Sequence, residues 1–361
     1  MDDTPANDRL SRMLARAIRS EVPGLQYTVV AADRTLFEHA GGWASIRNRK
    51  AMTLDTTLMA YSMTKTFTAV AILQLAERGA LGLDDTLDQH LPQTPYRQRG
   101  ITLRHLLTHT SGLPNPLPLR WVHLAEDDPA FDEAGALADV LRDHPGLSFQ
   151  PGQRYGYSNI AYWLLGKIIE QVTGLSYAAY VRANILQPLG LPAREMDFLI
   201  PCPSRHASGY LATCSWLHLI KGFVIDRKFL GQDEGHWLRL KDHYLNGPAF
   251  GGLVGTARGF GRFLQDQLRP RSVLYGPDTR RLMETPQTDG AGRPIPMTLG
   301  WHLGRAQGQP YFFKEGGGGG FHGEMRLYPA QGMASVVLAN STSFNSTKFL
   351  NQADRGFCEM P

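Results

Sequence analysis

The chain contains no run of about 18 uninterrupted apolar residues, the length at which a segment reads as a bilayer-spanning helix, so no membrane span is expected. Its opening residues, Met1-Asp2-Asp3-Thr4-Pro5, are acidic and polar and lack the apolar stretch of a secretory signal, which favours a cytoplasmic protein. Cysteine is scarce. The three present (Cys202, Cys214 and Cys358) are odd in number and show no metal-ligand spacing, as expected of a reducing compartment. Cys202 and Cys214 either pair or pack as ordinary thiols. Arginines are scattered and form no stripe with interleaved aromatics, so a formal net charge of +4 does not point to nucleic acid. No internal repeat, linker or cofactor motif is present, and neither a metal nor a cofactor is expected.

At 361 residues and 42% hydrophobic, the chain can bury a large core as one big domain or two lobes. Leu10, Met13, Leu14, Ala17 and Ile18 recur at helical spacing over residues 6–20. Gln26–Ala32 and Thr35–Gly41 read as strands joined by an Asp33-Arg34 turn. An apolar helix then carries Ser62 and ends near Gly79; Thr102 and residues 159–173 open two further helices. Strand character returns in Thr298–Gly304, Gln309–Lys314, Glu324–Pro329 and Met333–Asn340, and a last helix runs from about Ser346 to Phe357. These elements predict an α/β (α+β) fold: one antiparallel sheet built from both chain ends, flanked by helices, with a mostly helical region inserted. The sheet region is expected over 1–80 plus 290–361, the inserted region over 81–289, and the active site between them.

Ser62-Met63-Thr64-Lys65 is the only S-x-x-K of the chain. A serine hydroxyl is a weak nucleophile at neutral pH and needs a neighbour to take its proton. Residues three apart share a helix face, so Lys65 can serve if burial or a second cation pulls its pKa down. Tyr157 and Asn159, two apart before a helix, can point to one side; a phenol carries protons, and an amide both donates and accepts. The competing reading is that Ser158 or Asn159 merely caps the helix. In Lys314-Glu315-Gly316-Gly317, strand alternation aims Lys314 and Gly316 at one face and Glu315 at the other. A cation there depresses Lys65 or holds an anionic group, and glycine leaves a backbone N–H open as an oxyanion donor. The competing reading is a glycine hairpin with a solvated lysine.

Taken in order, Ser62-x-x-Lys65, Tyr157-x-Asn159 and Lys314-x-Gly316 resemble the triplet of the serine β-lactamases and penicillin-binding proteins. The tyrosine version is similar to class C β-lactamases, D-alanyl-D-alanine carboxypeptidases and family VIII carboxylesterases. Thr102–Pro114, Gln150-Pro151-Gly152, Pro188–Leu191 and Asn246–Leu253 extend the likeness to about residues 24–342. The resemblance implies a β-lactamase/transpeptidase-like fold and an acyl-enzyme on Ser62, with Lys65 and Tyr157 sharing its proton. It further implies an oxyanion site between the N–H groups of Ser62 and Gly317, Asn159 orienting the substrate, Lys314 tuning the field, and Tyr157 activating the deacylating water. Two departures stand out. Glu315 replaces a hydroxyl residue, and Gly317 stands where β-lactamases place a Ser or Thr that binds the substrate carboxylate.

That loss favours uncharged acyl donors, so the expected function is a carboxylesterase on short acyl esters, its partner a small-molecule acyl substrate. The alternatives are a β-lactamase or D-amino-acid-specific peptidase of the same fold, and a catalytically silent scaffold. His105 and His109 lack a third ligand and read as packing or capping residues. His322 reads as lining the cleft or as packing at a strand start, and Trp216, Trp237, Tyr244 and Phe250 as acyl pocket or core.

Overall fold

A computed structural model describes residues 5–116, 121–213 and 226–358. In chain order the principal elements are α1 (Pro5–Ser20), β1 (Gly24–Ala31), β2 (Thr35–Ser45), β3 (Lys50–Ala51), α2 (Thr64–Glu77), α3 (Leu103–Leu107), α4 (Asn159–Thr173), α5 (Pro248–Gly251) and α6 (Ala257–Leu268). They continue with β4 (His302–Ala306), β5 (Gln309–Gly318), β6 (Phe321–Tyr328), β7 (Met333–Ala339) and α7 (Ser346–Ala353). One seven-stranded sheet has the order β4-β5-β6-β7-β1-β2-β3. All its pairs are antiparallel, and β1 joins the two chain ends by pairing Thr28 with Val336.

Alternation along the central strands sorts side chains to two faces. Leu25, Tyr27, Val29 and Val337 pack with Leu10, Leu14 and Ala17 of α1 and with Phe349 and Leu350 of α7. Val30, Ala334, Val336 and Leu338 fall on the other side, in one cluster with Phe260 and Phe263 of α6. Behind α6 lies α2, buried at every residue from Thr64 to Leu75, as its apolarity all round its circumference requires. The helix of residues 159–173 ends as expected, with Gly174 at a left-handed φ of 69°.

Three features differ from the sequence reading. Thr298–Trp301 forms a tight turn, Thr298 N donating to Trp301 O at 2.8 Å, and β4 starts only at His302. Gly209–Ala212, Trp237–Leu240 and Leu230–Glu234 make a small three-stranded sheet in a stretch without clear periodicity. The arginines are not all scattered: Arg9, Arg12 and Arg16 line one groove with Lys348 on the outer side of α1 and α7. Both the Cys202–Cys214 alternative and the placement of Trp216 concern positions, Cys214 and Trp216, outside the described residues. No described helix is long and apolar enough to cross a membrane.

Candidate active site

Ser62 occupies a single 3-10 turn, Tyr61–Met63, directly before α2 rather than the helix itself. Tyr61 enters this turn at φ 47°, a costly conformation for a bulky residue. Its hydroxyl donates to Gly319 O at 2.9 Å, which ties the turn to the end of β5. From the first turn of α2, Lys65 brings Nζ to 3.0 Å from Ser62 Oγ. Ser158 is extended and caps α4, accepting the Ala161 N–H, so the capping reading holds for Ser158. The same extension sends its two neighbours to one side. Tyr157 OH donates to Ser62 Oγ at 2.8 Å, and Asn159 Oδ1 accepts from Lys65 Nζ at 2.7 Å. Lys314 Nζ lies 5.6 Å above the Tyr157 ring and has no hydrogen-bond partner among the described residues.

Lys314 and Gly316 are buried on one face of β5 while Glu315 is exposed on the other. A Cβ on Gly316 would fall 2.0 Å from Ala60 O and 3.0 Å from Ser62 N, so only glycine lets β5 run this close to the Ser62 turn. Thus Ser62, Lys65, Tyr157, Asn159, Lys314, Gly316 and Gly317 all converge on one locus. An open cleft of about 600 Å3 is lined by Ser62, Tyr157, His302, Glu315, Gly317 and His322, among others.

Burial sets the electrostatics. Lys65 and Lys314 are both 0% exposed. Burial, then the nearby Lys314 charge, hold the Lys65 amine well below its ordinary value, and burial takes Lys314 down to about 7. Tyr157 is pushed above the usual phenol range by burial, which outweighs its bond to Ser62.

Several contributing groups escaped the sequence reading. Phe250 supplies a backbone oxygen 2.5 Å from Lys65 Nζ. Asn115 Oδ1 accepts both Asn159 N (3.0 Å) and Asn159 Nδ2 (3.1 Å), which directs Asn159 Oδ1 to Lys65. His109 packs against Tyr157 with ring centroids 4.4 Å apart and planes tilted by 36°, and its Nδ1 accepts the Ser158 N–H. The Thr108-His109-Thr110 segment carried a signal, but helical spacing with His105 suggested only packing or capping. His105 does cap, completing the capping box of α3 with Thr102. Of the aromatics considered for an acyl pocket, Phe250 reaches the site through its backbone and stands with Trp121 and Trp163. Trp237 packs on Tyr210, and the Tyr244 hydroxyl accepts from Ile200 N; neither lines the cleft. Among the described residues, no three His, Cys, Asp or Glu side chains converge as a metal site.

Known proteins share this fold. Penicillin-binding protein 4* of Bacillus subtilis (strain 168) is 37% identical over 168 residues, 45% of this chain and 36% of that protein. The match thus spans about a third of the relative's length. The octameric penicillin-binding protein homologue from Pyrococcus abyssi superposes with a TM-score of 0.78 at 23% identity, covering 97% of this chain and 76% of that one. The D-amino acid amidase from Ochrobactrum anthropi SV3 gives 0.81 at 20% identity, covering 99% and 100%. Both are likenesses of fold: a mixed α/β architecture of the β-lactamase/transpeptidase type. The Beta-lactamase family profile matches residues 10–355, nearly the whole sequence, and the chain therefore belongs to the beta-lactamase family.

Proposed function

We propose that this protein is a serine hydrolase that forms an acyl-enzyme on Ser62 and turns over short acyl esters. The observation that carries this reading is the double hold on Ser62 Oγ, by Tyr157 OH at 2.8 Å and Lys65 Nζ at 3.0 Å. A neutral amine has two N–H groups and one lone pair. Asn159 Oδ1 and the Phe250 carbonyl are acceptors only, so they take both N–H groups and leave the lone pair for the Ser62 proton. Lys65 is then the base. Tyr157, kept protonated by burial, donates to Ser62 Oγ and passes its proton to the leaving alkoxide; the proton on Lys65 restores it. In deacylation the same two groups activate water. The N–H groups of Ser62 and Gly317 hold the oxyanion, Asn159 orients the acyl group, and burial, aided by the Lys314 charge, keeps Lys65 uncharged.

Esters are favoured over penicillins because Gly317 offers no hydroxyl and, among the described residues, no exposed lysine or arginine lines the cleft to receive a carboxylate. The test compares the wild type with Ser62→Ala on p-nitrophenyl butyrate, a chromogenic cephalosporin and a D-Ala-D-Ala peptide. Ester turnover is expected to fall on the order of 10⁴- to 10⁶-fold in the variant. Ester turnover that survives the substitution removes Ser62 from the mechanism, and preferential cleavage of the peptide or the cephalosporin overturns the ester assignment.

A further inference from the structure

The rim of the Ser62 cleft carries a charge arrangement that acyl transfer does not use. Glu315, its side chain 45% exposed, places Oε1 2.6 Å from His322 Nε2. The two residues are seven apart, yet the register that pairs Gly317 with His322 makes them diagonal neighbours across β5 and β6. On its far side His322 Nδ1 lies 3.4 Å from Thr342 O. A Cβ on Gly317 would meet His322 Nδ1 at 2.9 Å, so the imidazole occupies the space a side chain at 317 would need. The bond to His322 keeps the Glu315 carboxyl below its ordinary range. Among the described residues the second oxygen, Oε2, makes no hydrogen bond.

Both Glu315 and His322 line the same cleft as Ser62 and Tyr157. The two lysines of the site are fully buried, on the face of β5 opposite Glu315 in the case of Lys314. Among the described residues the cleft therefore presents a carboxylate and no exposed lysine or arginine. Low-dielectric walls concentrate such a field, attracting cations and repelling anions.

We propose that Glu315, held by His322, is a specificity-determining residue that selects acyl donors bearing an ammonium or quaternary amine beside the scissile bond. This rests on the acyl-enzyme reading of Ser62 and narrows its substrates from short acyl esters to those that carry a cation. A penicillin-like carboxylate meets the opposite field.

The experiment uses isosteric pairs that differ only in charge. With the cation on the leaving group, S-butyrylthiocholine is compared with S-(3,3-dimethylbutyl) thiobutyrate. With the cation on the acyl group, p-nitrophenyl 4-(trimethylammonio)butyrate is compared with p-nitrophenyl 5,5-dimethylhexanoate. In at least one pair the wild type is expected to prefer the cationic member about 2- to 5-fold in kcat/KM, the range of a half-exposed ion pair. Glu315→Gln is expected to bring that ratio close to one. A wild-type ratio near one in both pairs, or a preference that persists in Glu315→Gln, overturns the proposal. Labelling of Ser62 with a fluorophosphonate separates the two kinds of failure. Labelled enzyme without cation preference overturns the role of Glu315 alone. Absent labelling together with absent turnover overturns the acyl-enzyme reading, and this inference with it.

Discussion

Replacing Gly316 by alanine adds one methyl group at the place where β5 presses on the nucleophile turn. The new Cβ would lie 2.0 Å from Ala60 O, 3.1 Å from Ala60 C and 3.0 Å from Ser62 N. All three are backbone atoms, so no side-chain rotation relieves the clash. Ala60 cannot simply give way, because its carbonyl accepts the Met63 N–H at 3.2 Å and its N–H donates to Leu253 O at 2.9 Å. Since real Cβ atoms almost never approach closer than 3.0 Å, β5 has to retreat by about 1 Å. Overpacking of this kind costs about 1–3 kcal/mol, which for a chain of this size lowers Tm by about 1–4 °C. A 1 Å displacement between reacting groups costs about 100-fold in rate. Gly316→Ala should therefore lose about 100-fold in kcat/KM on p-nitrophenyl butyrate while remaining folded by circular dichroism. At the neighbouring position the first obstacle is the His322 ring, which can turn aside, so Gly317→Ala should lose far less. Activity within threefold of wild type for Gly316→Ala, with Tm unchanged, would refute the close approach of β5 to the Ser62 turn.

Three further predictions concern the base. Because the Lys65 amine is held well below its ordinary value, kcat/KM should rise with pH as it loses its proton and reach its plateau without strongly alkaline conditions. Below about pH 7 Lys314 is protonated and repels a proton from Lys65. Lys314→Met removes that charge, the Lys65 pKa rises, and the acid limb of the pH profile moves to higher pH; an unmoved limb, or one displaced to lower pH, contradicts the coupling. Asn115→Leu removes the one acceptor that fixes the Asn159 amide, which lets the amide flip and compete for the Lys65 lone pair. We expect about a 10-fold fall in kcat, with little change in Tm because Asn115 is exposed. Asn115→Asp keeps a carboxylate oxygen at that point and should restore most of the rate; equal losses in the two variants would argue against the orienting role.

The parts of the site that could be read from sequence are those whose geometry is local. Three residues of helical rise put Lys65 beside Ser62, and two residues of extended chain put Tyr157 and Asn159 on one side, whatever surrounds them. The sheet was legible for the same reason, since β1 and β7 alternate side chains between two buried faces and are rich in valine. The small sheet over 209–240 was not. Its strands are only four or five residues long, and Asp233 and Glu234 dilute the pattern. Asn115 stands between two prolines in a loop with no period, and its place is set by the Pro114 carbonyl accepting from Ser158 Oγ at 3.0 Å. Glu315 and His322 meet only because the hairpin turns at Gly319-Gly320, where Gly320 takes φ 88°. The base shows how these two kinds of information divide. Spacing names Lys65, but an amine becomes a directed base only when its N–H groups are claimed elsewhere. One claimant is Asn159, oriented by Asn115 from 44 residues away; the other is a main-chain oxygen at Phe250, 185 residues from Lys65, for which any side chain would serve. Long-range packing therefore decides where the Lys65 lone pair points, and a carbonyl leaves no residue-specific mark in the sequence that supplies it.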